Sequence, residues 1–217
     1  MWVTAHPFTI SRQKGTTMAR FATSTRDEIL TDNRHKLLQA AAAEIAQKGF
    51  SAANINKISL AAGFAKGTIY NYFSGKRELM LALIDEVGCT HTRYIVNQVE
   101  MENDPTQRLA CFFSAGFNYV KQYPNQSRIA INVIYGHDDV FKQRIYAAYE
   151  DLFALLINHI VTDGVERGEF KPVDVDMTAG FLMSLYLGSC SQIGIGGNIW
   201  FNPDQVAAFV LEGLRQR

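Results

Sequence analysis

NINKISLAAGFAKGTIYNYF, residues 54–73, is the stretch whose reading decides the fold. Ile55, Ile58 and Ala62 recur at three- and four-residue spacing, so they share one face of a helix. Asn54 stands just before that face, where its side-chain oxygen can accept a free backbone N–H of the first turn. Gly63 closes the helix, because glycine takes a left-handed backbone at little cost. Phe64 is the apolar residue of the turn and is expected to pack between two helices. A second helix is expected over residues 65–73, with Ile69 and Phe73 as its buried pair.

The outward side of that second helix carries the functional signal. A helix in the major groove needs hydrogen-bonding side chains for base edges, and cations or hydroxyls for phosphates. Thr68, Tyr70 and Asn71 supply the first kind and are assigned base or near-base contacts. Lys57, Lys66, Tyr72 and Lys76 are assigned to the phosphate backbone, Gly67 lets the main chain approach closely, and Asn54 is counted with them as a DNA-binding residue. The plainer alternative is a helical hairpin with a solvated polar face.

Residues 34–83 resemble the DNA-binding domain of the TetR family of bacterial transcriptional regulators. The resemblance is carried by RHKLLQAAAAEIAQKGF, residues 34–50, and by INKISLAAGFAKGTIYNYFSGKRELMLALI, residues 55–84. It is most specific over Ala62-Gly63-Phe64, the run from Lys66 to Phe73, Lys76 and Leu79. Departures from the family pattern are Ala65 for a usual serine that would cap the recognition helix, Ser59 for a usual alanine, and Ala52 and Ala53 near usual threonines. Glu44 also falls on a face of the preceding helix that is mostly apolar in the family. The resemblance implies a homodimer with a divergent C-terminal ligand domain, acting in most members as a repressor.

Composition agrees with a two-part chain. The 217 residues are 47% hydrophobic and formally neutral, but residues 1–80 hold 11 Lys+Arg against 5 Asp+Glu, and the remainder 10 against 16. A basic head on an acidic body suits a nucleic-acid module joined to another domain. Cys89, Cys111 and Cys190 are odd in number and widely spaced, so neither a metal site nor a disulfide framework is expected. No apolar run is long enough for a membrane helix, no signal-peptide core opens the chain, and a cytoplasmic protein is expected. Residues 1–30 read as a flexible, polar tail, with Met18 as a second start codon position.

The expected architecture is all-α. A three-helix helix-turn-helix domain covers 31–78, and a larger helical ligand-binding and dimerisation domain covers 79–217. The first head helix is expected over 33–48 and ends at Gly49. A long helix from Ser74 to about residue 99 joins head to body, with Leu79, Leu83 and Val87 as its stripe. Asp104-Pro105, Tyr123-Pro124, Gly136, Gly168 and Asn202-Pro203 punctuate the body, and one long helix is expected over 138–167. A glycine loop is expected at 194–198.

Aromatic residues crowd the body between 90 and 159, as in the wall of an apolar small-molecule cavity. His91, Tyr94, Phe113, Phe117, Asn118, Tyr149, Phe153 and His159 are the candidate lining residues, each with plain core packing as its alternative. Phe181, Leu185, Phe209 and Val210 exceed what one core contact needs and are the candidate dimer contacts. No catalytic motif stands out: G-x-S-x-G, H-E-x-x-H and a P-loop are all missing from the sequence, and no cofactor or metal is expected. The function read from the sequence is a homodimeric repressor on a palindromic double-stranded DNA operator, released by a small apolar or aromatic effector. Its alternatives are an activator, a regulator without effector, or a helical enzyme or interaction module that does not bind DNA.

Overall fold

The computed structural model describes residues 15–196 and 202–216. Among these it is helical, apart from loops and one isolated antiparallel bridge between Phe170 and Arg215. Its helices are α1 (Gly15–Ala52), α2 (Ile55–Ala61), α3 (Lys76–Val99), α4 (Pro105–Gln122), α5 (Pro124–Ile134), α6 (Asp139–Ala148), α7 (Glu150–Ala154), α8 (Asp163–Glu166), α9 (Val175–Gly196) and α10 (Pro203–Leu214). A 3-10 turn, Thr68–Asn71, follows α2, and a π-helical segment, Leu155–Thr162, joins α7 to α8.

The head forms where the apolar periodicity places it. Leu37, Leu38, Ala41, Ala42 and Ile45 of α1 are buried against α2 and α3. The helix turns at Gly49, whose φ of 78° only glycine adopts without strain. Glu44, the acidic residue on that apolar face, does not stay unpaired. Its carboxylate meets Lys48 Nζ at 2.7 Å and accepts the Asn54 N–H at 3.3 Å, tying the end of α1 to the start of α2. Lys48 first, and the Asn54 N–H with it, hold the Glu44 carboxyl below its usual range.

Two local expectations need correction. The tail expected over 1–30 is helical from Gly15 onward, and α1 runs through it without a break. No glycine or proline lies between 16 and 48, and extending an existing helix is far easier than nucleating one. The long helix expected over 138–167 is split at Tyr149, whose φ of −104° and ψ of 5° leave the helical region. The chain resumes as α7, widens into the π-helical segment and stops at Gly168, with φ 72°. The inward stripe survives the break: Phe141, Ile145, Tyr149, Leu152, Leu156 and Ile160 are all buried. α9 extends into the expected glycine loop, to Gly196, and residues 197–198 of that loop lie outside the described residues.

Helix starts follow their side chains. Asp104 accepts the Gln107 N–H, Asp138 the Phe141 N–H and Asn202 the Asp204 N–H. At α3 the capping residue is Gly75 rather than Ser74. Glu78 reaches back to the Ser74 N–H at 2.6 Å, which stabilises the entry to the long helix. Within the body, Gly116 of α4 lets the Tyr186 ring of α9 lie directly on the backbone. Gly116→Ala is therefore expected to destabilise the protein by about 1–3 kcal/mol. A thermal melt unchanged from wild type would show that the ring moves aside freely.

Candidate nucleic-acid interface and effector cavity

The interface is built from the turn after α2. Asn54 Oδ1 accepts the N–H groups of Asn56 at 3.0 Å and Lys57 at 3.3 Å, so this side chain is spent on capping. Gly63 turns the chain at φ 85°, and the Phe64 N–H bonds back to the Ser59 carbonyl at 2.9 Å. Ser59 is fully buried, and its hydroxyl donates to the Ala65 carbonyl at 2.7 Å. That bond pins the turn from the α2 side, where the capping serine of the family pattern is absent.

The helix expected over 65–73 is in fact the four-residue 3-10 turn Thr68–Asn71. Gly67, at φ 86°, sits in the left-handed region directly before it, and a right-handed helix cannot pass through such a residue. Ile69 and Phe73 are buried, as their spacing predicts. Lys57, Lys66, Tyr70 and Asn71 are exposed, and Thr68 is half-buried, so the polar side of the turn faces outward.

Two assigned residues point elsewhere. Lys76 Nζ donates to the Ser51 carbonyl at 2.8 Å and lies 5.2 Å from the Phe50 ring centroid, so it clamps the end of α1 to α3. The Tyr72 hydroxyl accepts from Asn33 Nδ2 at 3.1 Å and belongs to the seam with α1. Arg34, outside the assigned set, stacks over the Phe73 ring at 5.2 Å and is exposed beside the turn. Its signal in the sequence was the basic run Arg34-His35-Lys36.

The aromatic residues of the body divide. His91 and Tyr149 line a small interior cavity of about 20 Å³, together with Tyr119, Tyr186 and the inner side of α5. Phe113 and Phe117 are fully buried core residues, and Phe153 packs half-buried against the same core. Tyr94 packs edge-on to Tyr119, 5.5 Å away, outside the cavity wall. Asn118 is exposed. His159 is also exposed, in an open groove of about 750 Å³ between α3 and the α6–α7 turn.

His91 organises the cavity. Its Nδ1 lies 2.9 Å from the Tyr149 hydroxyl and its Nε2 2.6 Å from the Tyr186 hydroxyl, while its ring stacks on Tyr119 at 4.4 Å. Tyr119, Tyr149 and Tyr186 were not expected as a set. Their spacing follows three different helices, and only the tertiary fold brings them to one histidine. Burial keeps the imidazole neutral, moving its pKa from 6.5 down to about 3.

Residues 37–83 match the family model described as bacterial regulatory proteins, tetR family. The head of the chain thus matches the DNA-binding domain of the TetR family. Family relatives match over most of the chain. The HTH-type transcriptional repressor KstR2 of Mycobacterium tuberculosis is 26% identical over 199 residues, covering 85% of this chain and 94% of that protein. The fold matches FadR of Bacillus subtilis, solved in complex with stearoyl-CoA, at a TM-score of 0.71 and 21% identity, covering 82% of this chain and 95% of that one. It also matches AibR, solved in complex with isovaleryl coenzyme A and operator DNA, at a TM-score of 0.65 and 18% identity, covering 84% and 98%. Several of the matched relatives are named as transcriptional regulators or repressors.

The neutral buried histidine has a thermodynamic consequence. Unfolded His91 binds a proton below about pH 6.5, whereas the folded one resists it down to about 3. Between these values the unfolded state binds more protons, so stability rises with pH and is lost as pH falls through that window. His91→Gln is expected to flatten this part of the melting-temperature profile. An unchanged slope between pH 4 and pH 6.5 would show that His91 is protonated in the fold.

Proposed function

We propose that the protein is a repressor that grips a near-palindromic operator as a homodimer and lets go when a small apolar effector enters the body. The observation that carries the DNA half is the outward face of the 3-10 turn, where Lys66, Tyr70 and Asn71 stand exposed over a buried Ile69–Phe73 base. Thr68, Tyr70 and Asn71 contact bases, Gly67 admits close backbone approach, and Lys57, Lys66 and Arg34 meet phosphates. Asn54, Tyr72 and Lys76 act by positioning this surface, since their polar atoms are already engaged within the head.

Dimerisation is supported by apolar side chains that the fold leaves uncovered. Met177 and Phe181 on α9 are 56% and 66% exposed, and Phe209 on α10 is 74% exposed. Leu185 and Val210 are half-buried on the same two helices. A two-fold pairing would cover these residues and present two heads to neighbouring major-groove faces. No described helix is long and apolar enough to cross a membrane, and action in the cytoplasm fits this reading.

Effector and DNA are coupled through two elements. α5 lines the cavity with Ala130 and Ile134 and packs against α1 of the head. Arg128 of α5 also reaches the Ala46 carbonyl at 3.5 Å. The second link is the start of α6. Asp138 takes a two-pronged bond from Arg77 at 2.9 and 3.3 Å, and Arg77 covers the Phe141 ring at 4.8 Å. Phe141 in turn meets Phe50 edge-on at 5.2 Å, just past the Gly49 kink. An effector that moves α5 and α6 shifts both contacts and changes the spacing of the two heads, provided it binds the two states unequally. FadR with stearoyl-CoA and AibR with isovaleryl coenzyme A support an apolar acyl compound as the effector class.

A regulator that needs no effector is the second reading, and the small cavity volume favours it. Gel shifts on the operator separate the parts. Lys66→Ala and Tyr70→Ala are expected to weaken binding by about five-fold or more, each with a loss of roughly 1–3 kcal/mol, and Lys66→Ala also lowers the salt dependence. Unchanged affinity in both would remove the assigned surface. Arg77→Ala is expected to keep operator binding and to blunt release by effector; full release in that variant would exclude the α6 link.

A further inference from the structure

Among the residues that line the interior cavity, one buried hydroxyl has no hydrogen-bond partner. His91 engages the Tyr149 and Tyr186 hydroxyls through its two ring nitrogens, one accepting and the other donating. Ser127, also in the lining, donates to the Tyr123 carbonyl at 2.9 Å. The Tyr119 hydroxyl is buried and, among the described residues, is the only buried side-chain polar atom without a partner. Its ring is held by His91 on one face and by Tyr94 and Tyr123, at 5.5 and 4.8 Å, around it. A buried donor left unpaired destabilises the folded state. The same donor, held still in an apolar site, is ready for an acceptor that arrives with a ligand.

We propose that the effector is an apolar molecule, uncharged where it is buried, that carries a carbonyl-type acceptor read by the Tyr119 hydroxyl. The proposal rests on the effector reading above and specifies its chemistry. None of the residues lining the cavity is Asp, Glu, Lys or Arg. A carboxylate entering there would lose its hydration and find no cation, which costs several kcal/mol. A ketone, ester, amide or thioester meets the Tyr119 O–H at no such penalty. Burial raises the pKa of the Tyr119 hydroxyl, so it stays a neutral donor throughout the physiological range. The cavity of about 20 Å³ holds little more than the acceptor group itself. The rest of the molecule is accommodated by displacing α5. Tyr135, at the C-terminal end of α5, lines the cavity yet is 60% exposed, which marks the entry side.

The test uses the full-length protein and three probes with one ten-carbon chain: the decanoyl thioester of N-acetylcysteamine, the matching decyl thioether without the carbonyl, and decanoate. Calorimetric titration is expected to rank the thioester first. Tyr119→Phe is expected to weaken the thioester by about three- to ten-fold and to leave the thioether unchanged. Without ligand, the same variant is expected to melt at or above the wild-type temperature, because the deleted hydroxyl had no partner. Equal binding of thioester and thioether to the wild type, decanoate bound as tightly as the thioester, a variant that melts well below wild type, or binding of none of the three would each overturn the proposal. Operator gel shifts with the same probes keep the two readings apart. Release of DNA without discrimination between thioester and thioether sinks the Tyr119 site and leaves regulation standing. Discrimination without release does the reverse.

Discussion

α3 is buried along nearly its whole length, and both halves of the molecule are built on it. Leu79 and Leu83 close the core of the head, while Val87, His91, Ile95 and Val99 enter the core of the body. Full burial of each such aliphatic side chain stabilises the fold by about 1.5–3 kcal/mol. Neither core is complete without this helix, so the head cannot rotate freely against the body. A close-packed interior transmits displacement instead of absorbing it. The exposed turn leads directly into this helix, and the histidine that lines the cavity lies on it.

The polar groups placed inside these cores set geometry more than stability. Ser59 gives its hydroxyl to the Ala65 carbonyl and fixes the turn that would otherwise have no side-chain cap. His91 orders Tyr149 and Tyr186 from two other helices, and the backbone break at Tyr149 lets that hydroxyl reach the imidazole. The π-helical segment that follows is the irregular geometry often found next to functional sites. Both arrangements satisfy the polar groups they bury, and the one exception, Tyr119, lies at the cavity.

Charge is organised in the same way. Arg77 and Asp138 join the first turn of α3 to the cap of α6, and Arg144 pairs with Asp85 further along the same seam. These pairs are exposed, so they add little to stability; their role is to hold the register of α6 against α3. The acidic body and basic head seen in the sequence therefore meet at specific contacts, leaving Lys57 and Lys66 outward on the head.

The sequence by itself determined the helical class, the capping residues Asn54, Asp104 and Asn202, the turn at Gly63 and the buried pair Ile69–Phe73. These follow from local periodicity and from the conformational freedom of single residues, which neighbours a few positions away settle. It also placed the exposed surface of Lys66, Tyr70 and Asn71. Only the tertiary structure decided that Lys76 and Tyr72 are spent on the seam with α1, that Asn118 and His159 face solvent, and that Tyr119 and Tyr186 join His91. Those outcomes depend on which helices cross and at what depth, and residues 67 positions apart in the chain, such as Tyr119 and Tyr186, leave no periodic trace of their contact. The shortened helix after the turn sits between the two cases: Gly67 was visible in the sequence, but its left-handed backbone is seen only in the fold.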